Sequence, residues 1–139
     1  MSGGLSNADI VRRFYEAWNR GDINFAELVA EDIVNHQPEA EPARGRSRFA
    51  EAIRAVMAAV PDSRWTISDV LVDGDRVAVR TTWSGTYGAP QFRGLPIPTP
   101  GSFTTEHIHI YRVADRKLAE HWVVRDDLAM LRQLGAVTS

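Results

Sequence analysis

Apolar positions in the first sixty residues recur at helical spacing. Ser6, with Asp9 three residues on, reads as an N-terminal cap; Ile10, Val11, Phe14 and Trp18 then share one face until Gly21 stops the helix. A short second helix is expected from Asn24 to Ala30. A third spans about Ser47 to Val60, where Phe49, Ile53, Val56, Met57 and Val60 form one stripe and Pro61 ends it. Beyond that point helical spacing gives way to two-residue alternation. Trp65 to Val72 and Arg76 to Trp83 are β-rich runs joined by Asp73-Gly74-Asp75, a hairpin signal. Two longer runs, Phe103 to Val113 and Leu118 to Asp126, turn through Asp115-Arg116-Lys117. Helices followed by antiparallel strands predict an α+β fold, with the helices packed on the sheet. The stretch from Gly85 to Gly101 is too rich in proline and glycine for a continuous strand, and reads as a lid-like loop over a cavity mouth. A last short helix begins near Asp126 or Asp127, carries Leu128, Leu131 and Leu134 inward, and meets Gly135 at its end.

Composition narrows the function classes. The 139 residues suit one domain, with an ordered core over about 6–135. Sixteen basic against 18 acidic residues leave a net charge of -2 and no cationic stripe, so nucleic acid is not an expected partner. The absence of cysteine removes disulfides, thiolate nucleophiles and Cys-based zinc sites. No apolar run approaches the roughly 18 residues of a membrane span, and the polar start resembles no signal peptide; no membrane partner and a cytoplasmic location are expected.

Candidate chemistry concentrates in the last two strands, which hold three of the four histidines. His107 and His109 are two apart and share a face of their strand; His121 lies on its partner. Register decides whether the three meet. With Asp115-Arg116-Lys117 as a three-residue loop, Ala114 pairs with Leu118, His109 stands opposite Val123 and Tyr111 opposite His121. Thr105, His107, His109, Tyr111, His121, Val123 and Arg125 then share one face, and Ile108, Ile110, Leu118, Trp122 and Val124 the other. A two-residue loop would invert His121. Neutral imidazoles lining a cavity move protons near pH 7. Plainer roles are open too. His107 and His109 suit a half-exposed strand, His121 a bond to the Tyr111 hydroxyl, Asp126 a helix N-cap, and His36 a hydrogen bond in an irregular segment. His-x-His plus a third histidine also resembles three-nitrogen zinc ligation, with His36 or water as fourth ligand; no metal is the preferred reading.

Gly94-Leu-Pro-Ile-Pro-Thr99, Glu106-His-Ile-His-Ile-Tyr-Arg112, Leu118-Ala-Glu-His121 with Asp126, and the closing Leu131-Arg-Gln-Leu-Gly135 together resemble the SnoaL-like polyketide cyclases of the nuclear-transport-factor-2-like α+β cone superfamily. The resemblance runs from about Asp9 to Gly135. It implies a strongly curved sheet closed by helices around an apolar pocket, no cofactor, and a homodimer through the outer face of the sheet; it also favours the three-residue register. The family pattern of a glutamine and a histidine two apart falls on His107 and His109. Its catalytic aspartate falls on Val123, which cannot take a proton, and two positions tied to stereochemistry fall on Trp18 and Ala52.

The expected activity is therefore cofactor-independent proton transfer on an apolar, oxygenated, ring-sized small molecule, such as aldol-type ring closure. His109 and His121 are the expected proton-handling pair, with His107 in support and Asp126 as alternative base. Tyr15, Trp18, Trp83, Tyr111, Val123 and His36 are the expected substrate contacts. The alternatives are a non-catalytic small-molecule binding domain, or an isomerase or epoxide-hydrolase-like enzyme, the last suggested only by Arg125 beside Asp126.

Overall fold

A computed structural model describes residues 5–37, 40–98 and 100–137. Pro38 and Thr99, which fall within the segments read above, lie outside them. Helix α1 (Asn7–Arg20) starts at a reciprocal cap: the Asp9 N–H donates to Ser6 Oγ and the Ser6 N–H to Asp9 Oδ2, each at 3.1 Å. It ends at Gly21, whose φ of 77° is the left-handed turn glycine adopts without strain. Ile10, Val11, Phe14, Tyr15 and Trp18 are buried. Ser6→Ala should cost about 1 kcal/mol in urea unfolding, because the Asp9 N–H in the first turn of α1 loses its side-chain acceptor.

The second helix, α2, is shorter than expected. It covers Phe25–Leu28, and the chain passes directly into strand β1 (Val29–His36). The segment expected to be irregular around His36 is thus the end of a strand. Glu31 and Asp32 interrupt any apolar alternation there, so the strand carries no two-residue pattern. After β2 (Ala43–Arg44), α3 (Arg46–Ala59) buries Phe49, Ala50 and Ile53 against β1.

Strands β3 (Arg64–Asp73), β4 (Arg76–Tyr87), β7 (Gly101–Ala114) and β8 (Lys117–Arg125) complete the main sheet, in the order β2-β1-β8-β7-β4-β3. All pairings are antiparallel except β1 with β8. Helices on one side of this curved sheet make the α+β architecture the pattern implied. Within the proline-rich stretch, β5 (Gln91–Phe92) and β6 (Leu95–Pro96) form a small hairpin. Arg93 and Gly94 both have positive φ at its turn, the geometry of a tight two-residue hairpin. The last helix, α4 (Asp127–Gln133), is capped by the Asp126 carboxylate, which accepts from Ala129 N–H at 3.0 Å. It buries Met130, with Leu134 just beyond its end, while Leu128 is 51% exposed rather than inward.

Two β-bulges set which side chains face the helices. The β7–β8 turn is the two-residue Asp115-Arg116, both at positive φ, so Ala114 pairs with Lys117 rather than Leu118. An extra residue at Ala119 then shifts the register, restoring His109 opposite Val123 and Tyr111 opposite His121. The same bulge turns Leu118 away from the outer face, and it is fully buried. In β3 the register shifts between Ile67 and Asp69, and Trp65 ends up opposite Trp83.

Candidate active site

The concave face of the sheet and helices α1, α3 and α4 enclose a cavity of about 370 Å³, within the range of small-molecule sites. Its walls are mainly aromatic and aliphatic: Phe14, Tyr15 and Trp18 from α1, Phe49 and Ile53 from α3, Trp65 and Trp83 from the β3–β4 pair, and Met130 from α4. Phe92 and Arg93 of the small hairpin reach the same space, so the proline-rich stretch does border the cavity.

Alternation along β7 sends Thr105, His107, His109 and Tyr111 inward, and β8 adds His121 and Val123; all six are buried. The rings of His107, His109 and Tyr111 stack in sequence, with centroids 5.5 and 6.1 Å apart. Parallel pairing of β1 with β8 sets Asn35 opposite His121. Its Oδ1 lies 2.6 Å from His121 Nδ1, and His121 Nε2 lies 2.8 Å from His109 Nδ1. An amide oxygen only accepts, so His121 Nδ1 carries the proton and its Nε2 accepts from His109 Nδ1–H. His109 Nε2 is left with a lone pair, buried and without a partner.

Burial governs the protonation of this chain. It pushes His121 down to about 3 and His107 down to about 4, and holds His109 well below the ordinary histidine range; neighbouring cationic and imidazole groups add to the effect. All three are neutral at pH 7. The ring resonances of His107 and His121 should therefore keep neutral-imidazole shifts down to about pH 5 in heteronuclear NMR spectra, where an ordinary histidine is already protonated. Desolvation likewise raises Tyr15 and Tyr111, which remain phenols. Their hydroxyls bond to each other at 2.6 Å, so Tyr111 does not serve His121 as the sequence suggested.

At the mouth, Arg125 donates to Gln37 Oε1 at 2.6 Å and to Asp127 Oδ1 at 3.2 Å; Arg93 lies 3.4 Å from Asp127. Asp126 borders the cavity there, with one carboxylate oxygen engaged as the cap of α4.

Nine of the ten candidate site residues border this one cavity: His107, His109, His121, Asp126, Tyr15, Trp18, Trp83, Tyr111 and Val123. His36 does not. It sits with Glu120 (2.7 Å), stacks on Trp122 at 5.0 Å and 3°, and belongs to the opposite side of the sheet. Two cavity residues carry no sequence signal: Asn35 lies on strand β1, which lacks apolar alternation, and Trp65 reaches the cavity through the β3 bulge. The zinc arrangement does not assemble: His109 and His121 turn nitrogens toward each other, and among the described residues no three His, Cys, Asp or Glu side chains converge as ligands.

The sequence matches the model of the SnoaL-like polyketide cyclase family over residues 8–134. The chain belongs to that family. Among the SnoaL-like relatives, it is 30% identical over 134 residues to aklanonic acid methyl ester cyclase DauD of Streptomyces sp. (strain C5), covering 91% of this chain and 80% of that protein. Wild-type IdmH of Streptomyces antibioticus is 34% identical with a TM-score of 0.78, over 94% of this chain and 99% of that one. TsrD of Streptomyces laurentii is 30% identical with a TM-score of 0.81, over 96% and 100% of the two chains. Among the described residues of this SnoaL-like chain, no helix is long and apolar enough to cross a membrane.

Proposed function

We propose that this protein catalyses cofactor-independent ring closure of the aldol type on a mostly apolar, oxygenated small molecule. One observation carries the reading: the Asn35–His121–His109 chain ends in a buried, unpartnered lone pair on a residue that lines an apolar cavity. In the proposed reaction His109 Nε2 takes a proton from a carbon beside a carbonyl, and the C–H electron pair passes into an enolate. The enolate carbon adds to a second carbonyl within the same molecule, and the resulting alkoxide takes the proton back from Nε2. A buried imidazole of low basicity accepts a proton only when negative charge develops next to it, as it does on the enolate. Asn35 and His121 act through His109 by holding its tautomer.

Because the DauD relative is named for aklanonic acid methyl ester, that ester is the first substrate to try. Its conversion to a cyclised isomer of unchanged mass, followed by chromatography, supports the proposal; binding without turnover of this ester and of simpler polyketide esters supports the non-catalytic reading. Val123 favours that second reading: it stands opposite His109, at the position where the family resemblance puts a catalytic aspartate. Val123→Asp should raise cyclisation if the missing carboxylate limits the rate.

The proposal extends to assembly as a homodimer through the outer face of the sheet. Ile108, Ile110 and Val124 are 49%, 36% and 71% exposed there. Charges of both signs lie on the same face, Arg80 with Asp69 and Glu106, and Arg112 with Glu120, a mixture that a two-fold axis sets against itself favourably. Sedimentation should show a dimer at micromolar concentration, and Ile110→Asp should shift it to monomer while the cavity still binds ligand.

A further inference from the structure

Among the described residues, four buried ring nitrogens lack a hydrogen-bond partner: Trp65 Nε1, Trp83 Nε1, His107 Nδ1 and His109 Nε2. Their side chains all border the cavity, and each residue is more than nine-tenths buried. They also form one cluster. The two indoles stack with centroids 5.4 Å apart at 16°, and Trp65 lies 5.2 Å from the His107 ring and 5.3 Å from that of His109, nearly perpendicular to both. Trp18, on the neighbouring wall, is different: its indole N–H donates to Ser63 Oγ at 3.2 Å.

An indole N–H is a donor and nothing else, so the only group that completes it is an acceptor. Buried polar groups left unpaired are rare, and each calls for a specific explanation such as a catalytic role. Two indole donors beside the His109 lone pair match a carbon acid whose ionisation puts charge on oxygen; the role of His107 Nδ1 depends on its tautomer, which the contact with Thr105 leaves open. We propose that Trp65 and Trp83 form the oxygen-binding half of the active site, donating their Nε1–H bonds to the oxygens of an enolate derived from a 1,3-dicarbonyl compound. As His109 Nε2 takes the proton from the carbon between the two carbonyls, the electron pair spreads over both oxygens, and each indole has an acceptor. The enolate assignment rests on the ring-closure reading above; the pair of donors does not.

The probe is 2-phenyl-1,3-indandione, an apolar compound that is a ready-made enolate at neutral pH, with the hydrocarbon 2-phenylindane as control. In ¹H–¹⁵N spectra the chain's four tryptophans give four indole N–H signals. Saturation with the enolate should move the Trp65 and Trp83 signals downfield and leave Trp18 and Trp122 in place; 2-phenylindane should produce no such downfield pair. Trp65→Phe and Trp83→Phe, which keep an aromatic ring and delete the donor, should each weaken enolate binding about tenfold and hydrocarbon binding little. Enolate binding that leaves both signals unmoved overturns the proposal, as does undiminished affinity in both variants or no binding to the wild-type protein. If both signals move while His109→Ala turns over substrate at the wild-type rate, the oxygen site stands and the His109 mechanism falls.

Discussion

Replacing His109 by alanine is expected to lower turnover of a confirmed substrate by about 10²-fold or more, the usual worth of a positioned base. The loss should appear in kcat more than in KM, because the missing nitrogen acts on the transferring proton rather than on the bulk of the substrate. His121→Ala should cost a similar factor by a different route. It removes the acceptor that keeps the proton on His109 Nδ1, so the imidazole is free to present an N–H instead of a lone pair. Asn35→Leu breaks the chain one link earlier and should produce a smaller loss with the same bias toward kcat. Thermal unfolding followed by circular dichroism checks that the fold survives each change. Undiminished turnover in both histidine variants would leave Asp126 as the leading base at the cavity.

The second large effect is on stability in acid. His107, His109 and His121 resist protonation in the folded chain because burial penalises their charged forms, whereas in the unfolded chain they titrate near the ordinary value of about 6.5. Between that value and the folded pKa values, about 4 for His107 and about 3 for His121, the unfolded chain binds more protons. Stability therefore rises with pH across this window. Their contribution is fully present above about pH 6.5 and is lost progressively as pH falls toward 4 and below. Urea midpoints measured from pH 7 down to 4.5 should drop by an amount worth several kcal/mol across the three groups. His107→Phe, which keeps a ring but cannot charge, should flatten that dependence.

Much of this arrangement was legible because alternation is a strong signal. Thr105, His107, His109 and Tyr111 repeat every second residue, so once one of them faces inward all do. The helical stripe of α1 was equally plain, since its cap, its apolar spacing and its terminal glycine agree with one another. The hidden parts share a cause. Asn35 lies on a strand whose pairing is parallel and remote in sequence, and whose Glu31 and Asp32 break the alternation. Trp65 and Leu118 take their faces from single-residue bulges, each of which reverses the inward and outward sense of the chain beyond it without changing its composition. The turn at Asp115-Arg116 shows the difficulty well. A two-residue loop alone would have turned His121 outward, and the Ala119 bulge turns it back.

Solvent isotope exchange is the most direct test of His109 Nε2 as a base. With aklanonic acid methyl ester in D₂O, the wild-type protein should wash deuterium into the acidic carbon faster than buffer does, and His109→Ala should exchange at the buffer rate. Exchange at the wild-type rate in a folded His109→Ala protein would contradict the mechanism. So would the absence of enzyme-dependent exchange with this ester and with a series of cyclic ketones and β-keto esters.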